Sequence, residues 1–177
     1  MRLFLSLCLL VLPGTALADA CGPRLVATFS EGAPADRFTL TNTSDPGWSV
    51  TEVEIDLGPS RGRVIFDVTE RGAGLSVYQP FEEATGTAVI ADRSDVTDGD
   101  SLLTLRFSRF APGDSFGFTI DLDDTAGFAP TVVSTDEIAE GRVRVRFTSD
   151  RGEATREGYF DDNSEADTGR LEGCFVS

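Results

Sequence analysis

Apolar and polar residues alternate along most of this chain, and no stretch sustains the three-to-four-residue spacing of an amphipathic helix. The alternation predicts strands over Leu25–Phe29, Arg37–Asn42, Trp48–Leu57, Arg63–Val68, Gly74–Tyr78 and Thr87–Ala91. Further strands are expected over Ser101–Phe107, Ser115–Leu122, Thr131–Ser134, Arg142–Thr148 and Gly173–Val176. Between them lie turn signals such as Asp45-Pro46-Gly47, Gly58-Pro59-Ser60 and Pro112-Gly113-Asp114. Short strands at this spacing predict an all-β fold, a single antiparallel sandwich of about 9–11 strands, immunoglobulin-like or jelly-roll-like. No linker or internal repeat breaks the pattern, so residues 19–177 read as one domain.

Two strands carry complementary faces. In 51–57 Glu52, Glu54 and Asp56 alternate with Val53, Ile55 and Leu57; in 142–147 Arg142, Arg144 and Arg146 alternate with Val143, Val145 and Phe147. As neighbours they would set three acids against three arginines. The arginine row reads as a solvated strand face in preference to an anion-binding stripe for a sulfated or carboxylated polysaccharide. Between Ser101 and Leu122, two alternating runs flank SRFAPGD. A hairpin there places Ser101 opposite Asp121 and Asp98 opposite Asp124.

Composition narrows the chemistry. The formal charge is −15, and all 15 basic residues are arginine, which argues against nucleic acid and anionic membrane surfaces as partners. Residues 1–18, with Arg2, an apolar run from Leu3 to Leu12 and small residues at Ala16 and Ala18, read as a signal peptide cleaved after Ala18 or Ala20. That run is too short for a membrane span, so no membrane insertion is expected, and the destination is secreted or periplasmic. Cys21 and Cys174 then remain, and an oxidising compartment predicts a disulfide between them.

With no histidine, the usual general base and the commonest transition-metal ligand are missing. Acids gather instead in three knots: Asp92, Asp95, Asp98 and Asp100; Asp121, Asp123 and Asp124; Asp161, Asp162, Glu165 and Asp167 with Asn163. Hard oxygen donors suit calcium. The hairpin register brings the first two knots together, making Asp98, Asp100, Asp121, Asp123 and Asp124 the candidate calcium ligands and calcium the only cofactor these residues suggest. No EF-hand spacing is present, and the third knot reads as a polar loop. Nucleophilic triads in their common forms lack their base. A carboxylate pair acting on glycans is the remaining catalytic option, and one tryptophan with two tyrosines gives it few sugar platforms. No catalytic residue is expected.

ATFSEGAPADRFTLTNTS (27–44), VEIDLGPSRGRVIFDVTERGAG (53–74), YQPF (78–81) and FAPGDSFGFTIDLDDTAG (110–127) together make the chain resemble small secreted bacterial proteins of the aggregation-factor-core-like kind. The resemblance spans Ala27 to about Arg146. It implies a β-sandwich and suggests calcium-supported adhesion, with Asp121, Asp123 and Asp124 matching the recurrent IDxDD phrase. The function expected is a non-catalytic binding or adhesion module that recognises a polysaccharide or a surface protein. The alternatives are a carboxylate-dependent glycan-active enzyme and a purely structural part of an envelope assembly.

Overall fold

A computed structural model describes residues 22–32, 35–74, 77–126 and 132–169. Two antiparallel sheets face each other. The first holds β11 (Glu165–Asp167), β1 (Leu25–Ser30), β2 (Asp36–Asn42), β8 (Ser115–Asp123) and β4 (Ile65–Asp67) in that order, and β5 (Glu82–Gly86) also pairs with β8. The second holds β10 (Gly152–Tyr159), β9 (Arg142–Ser149), β3 (Ser49–Asp56), β7 (Leu102–Arg109) and β6 (Val89–Arg93). The sandwich expected from alternation is the fold observed.

Each sheet turns one apolar face inward. Phe38, Leu40, Phe116, Phe118, Ile120 and Leu122 from the first meet Val53, Ile55, Leu103, Leu105, Val143 and Val145 from the second, all buried. Phe38 stacks on Phe118 at 5.1 Å between ring centroids, and Phe107 meets Phe116 edge-on at 5.2 Å, so aromatic pairs run both along a sheet and between sheets. The acid and arginine rows are neighbours as expected, with Glu52 opposite Arg146, Glu54 opposite Arg144 and Asp56 opposite Arg142.

The expected hairpin between 101 and 122 does not form. β7 pairs with β3 and β6, whereas β8 pairs with β2, β4 and β5, so the intervening residues arch from one sheet to the other. Phe110 explains the arch. It is fully buried, packs on Phe107 at 4.8 Å, and its carbonyl accepts from Val50 N and from Asn42 Nδ2. A hairpin would expose that ring.

Elsewhere the segment 74–78 is no strand where it is described. The main chains of Gly72 and Gly74 lie so close to the carboxyls of Asp98 and Asp67 that a Cβ on either would collide. Val132–Ser134 also stays irregular, leading with buried Val133 into a single helical turn, α1 (Thr135–Ile138), capped by Ser134 and Glu137. Thr131 and the expected strand 173–176 lie outside the described residues. β5, β10 and β11 were not anticipated. β5 is exposed at every residue and exists through main-chain pairing to β8, where Gly117 leaves room for Thr85.

Candidate functional site

Because β7 and β8 belong to different sheets, the hairpin register that joined the first two acid knots is lost. Phe66 on β4 donates to Asp100 O and accepts from Gly99 N, so the 97–100 loop lies along the side of β4 that faces away from β8. Both acids of this loop are committed. Asp98 accepts from Val68 N at 2.8 Å, from Thr69 N at 2.9 Å and from Thr69 Oγ1 at 2.6 Å. Although burial pushes the other way, those donors hold its carboxyl below the ordinary range. Asp100 accepts from Thr97 N and Thr97 Oγ1. Asp95 is exposed beside a shallow groove lined by Ser94, Asp100, Leu102 and Thr104, and Asp92 pairs with Arg106 at 3.3 Å.

The second knot sits elsewhere and has other company. Asp121 and Asp123 alternate with inward Ile120 and Leu122, so both side chains lie on the outer face of the first sheet. They are nonetheless only 2 % and 3 % exposed. Directly across the ladder from Asp121 stands Asp67 on β4, 1 % exposed. Asp36 closes the other side at the start of β2, accepting from Gly32 N at 2.9 Å and, through Oδ2, from Leu122 N at 3.1 Å. Asp124 follows, buried, with Oδ1 accepting from Ala126 N at 3.1 Å. Main-chain bonds from Gln79 N to Asp67 O and from Asp121 N to Gln79 O draw a further segment over this face, and Gln79 Nε2 donates to Thr119 Oγ1 at 2.7 Å.

Sealing acids together changes their proton affinity. Burial, then the charges of Asp36, Asp123 and Asp67, pushes Asp121 up to about 8. Burial also raises Asp36 to about 7, against the pull of the Gly32 and Leu122 amides and with help from Glu31 and Asp123. Asp121 Oδ2 is buried with no hydrogen-bond partner. Among the described residues no group of three or more Asp, Glu, His or Cys side chains is placed where it could hold a metal ion.

Asp36 and Asp67 were missed as site residues. Their signals were a carboxylate in phase with core residues Phe38 and Leu40, and one in phase with an outward Ile65, whose apolar side chain marks a covered outer face.

The third knot is a turn. Asp161 Oδ1 accepts from Asn163 N and Glu165 N and Oδ2 from Asn163 Nδ2, and these donors hold its carboxyl low. Asp162 pairs with Arg61 at 2.7 Å and Asp167 with Arg24. The arginine row is likewise engaged: Arg142 meets Asp56 at 2.8 Å, Arg144 meets Glu157 at 2.6 Å and Glu54 at 3.6 Å, and Arg146 meets Glu52 at 3.3 Å. Trp48 packs against the core, Phe81 stacks on Phe118 at 4.9 Å beneath Arg93, and Tyr78 is 41 % exposed.

Comparison of the chain with protein-family models, with curated proteins and with solved structures finds no match. Residues 1–18, Cys21 and Cys174 lie outside the described residues. Among the described residues no helix is long and apolar enough to cross a membrane.

Proposed function

We propose that this chain is a secreted or periplasmic, non-catalytic binding module of the adhesion kind, which holds a polysaccharide or a surface protein with the support of calcium. The observation that carries this reading is a division among the carboxylates. Asp36 and Asp121, whose proton affinity would suit general acid work, are 3 % and 2 % exposed, out of reach of a glycosidic bond. The acids of the other two knots that solvent does reach are largely engaged by loop amides, hydroxyls or arginines. A carboxylate-pair enzyme needs the opposite arrangement, with perturbed acids lining an open cleft. Surface contact is supplied instead by side chains such as Tyr78 and Val77, 41 % and 49 % exposed on either side of one peptide bond. The signal-peptide pattern of residues 1–18 and the two cysteines of the mature chain support export.

The test uses mature protein, residues 19–177, on immobilised neutral and acidic polysaccharides and on bacterial cell surfaces, with calcium and with chelator. Retention in calcium, release by chelator and no new reducing ends are expected. Sustained release of reducing ends would replace this reading with the glycan-active enzyme. Failure to be retained on any of these surfaces would replace it with the structural component.

A further inference from the structure

Four aspartates from three strands end up in one sealed place, although the chain could have put any uncharged residue there. Asp67 and Asp121 are cross-strand neighbours, whose Cβ atoms stand about 5 Å apart in such a ladder. Asp123 lies one pleat further along the same face, and Asp36, the first residue of β2, stands at the flank of β8. Directly opposed like charges destabilise a sheet, and a buried carboxylate is stable only when neutralised or well bonded. Asp121 is the decisive residue. It is 2 % exposed, the charges that weigh on it are those of Asp36, Asp123 and Asp67, and its Oδ2 has no hydrogen-bond donor.

We propose that Asp36, Asp67, Asp121 and Asp123 form a binding site for one divalent cation, calcium, with Asp121 Oδ2 as a central ligand. The donors are all oxygen, which excludes the soft and borderline metals that need sulfur or imidazole. Magnesium demands near-ideal octahedral geometry and keeps several of its waters, for which a sealed pocket has little room. Calcium accepts irregular shells of six to eight oxygens, carboxylates and carbonyls alike. As they stand these carboxylates form no group that could hold a metal ion, so uptake requires the aspartate side chains to turn about their two torsions toward a common point. Asp98 and Asp100 take no part, their oxygens being engaged by the Thr69 and Thr97 turns. This site names the ion's place within the binding module proposed above and rests on that reading.

The experiment is a thermal melt of the mature protein at fixed ionic strength, with chelator, with calcium chloride and with magnesium chloride, on the natural chain and on D121N and D98N. Calcium should raise Tm by at least about 5 °C at saturation, with magnesium well behind. D121N should stay folded, melt higher than the natural chain in chelator at neutral pH because folding no longer has to protonate a buried carboxyl, and lose the calcium increment. D98N should melt lower throughout and keep the increment. A flat response of the natural chain to calcium overturns the site, as does an increment that survives in D121N. So does stabilisation obtained only by lowering the pH, which would give the pocket to protons. Calcium stabilisation without retention on any polysaccharide or cell surface leaves the site standing and removes the binding function instead.

Discussion

A carboxyl buried beside others is governed by its surroundings more than by its own chemistry, and Asp36 and Asp121 make that testable. Both fold with proton affinities above the ordinary 3.8, at about 7 and about 8. The sign follows from linkage. Between about pH 4 and pH 8 the folded chain binds more protons than the unfolded one, so the stabilisation is fully present at the acid end and is lost as pH rises through 7 and 8. Urea denaturation in chelator should therefore give a falling midpoint between pH 5.5 and about 8.5, with the fall reduced in D121N. A midpoint that is flat or rises over that window would contradict it. Residue identity was legible to a limited depth. Acids drew attention where they came in runs, at 92–100, 121–124 and 161–167, whereas the two isolated ones at 36 and 67 complete the pocket. Single aspartates carry no local signal for burial, because burial depends on which segments pack over them.

At the scale of elements, period-two alternation located most strands and left their partners open. It predicted 25–29, 37–42, 48–57, 101–107, 115–122 and 142–148 nearly in place, because inward phenylalanines, valines and leucines must face one way whichever strand lies alongside. The same alternation is compatible with a hairpin and with an arch, and β7 and β8 chose the arch. The deciding residues lie outside both strands. Asn42 donates through Nδ2 to Trp48 O at 3.1 Å and Phe110 O at 2.9 Å, while its Oδ1 accepts from Ser44 N at 3.1 Å. Gly113 N and Asp114 O complete the join to the Asn42 main chain. This fully buried amide fastens the end of β2 to the arch and to the start of β3. Asn42→Ala should therefore cost about 2–4 kcal/mol, because Trp48 O and Ser44 N lose their side-chain partner and Phe110 O keeps only Val50 N. Asn42→Asp should cost at least as much at neutral pH, since a carboxylate cannot donate to the Trp48 and Phe110 carbonyls. Chemical denaturation of both variants checks the pair; a loss under about 0.5 kcal/mol in either would show that the arch holds without the amide. The charged edge strand β10 escaped detection for a related reason: GEATREGY has no apolar phase, and its place follows from pairing with β9.

Over the whole molecule, the fold brings the two ends of its described residues together before any covalent link is considered. β1 pairs with β11, Leu25 N donates to Thr168 Oγ1 at 2.9 Å, Thr168 N donates to Leu25 O at 3.0 Å, and Arg24 bonds Asp167. From Leu25 and Thr168, four and six residues of chain lead to Cys21 and Cys174, a reach of up to about 13 and 20 Å. A disulfide needs α-carbons about 5.5 Å apart, a separation that these two reaches permit. The bond would close nearly the entire mature chain into one loop, removing entropy from the unfolded state worth about 4–5 kcal/mol in the chain-entropy treatment. The mature protein made in an oxidising compartment should resist alkylation until reduced and migrate as a monomer without reductant. Reduction should lower Tm, and Cys21→Ser, Cys174→Ser and the double variant should all match the reduced protein, because a single shared bond is lost in each case. Free thiols in the oxidised preparation, or a covalent dimer, would mean that these cysteines serve something other than closing the chain. The effect should also be separable from the aspartate pocket: calcium held at the proposed site would act on the folded state, the disulfide on the unfolded ensemble. Their contributions should then add, and a calcium increment that disappears on reduction would show that the pocket depends on the β1–β11 closure as well.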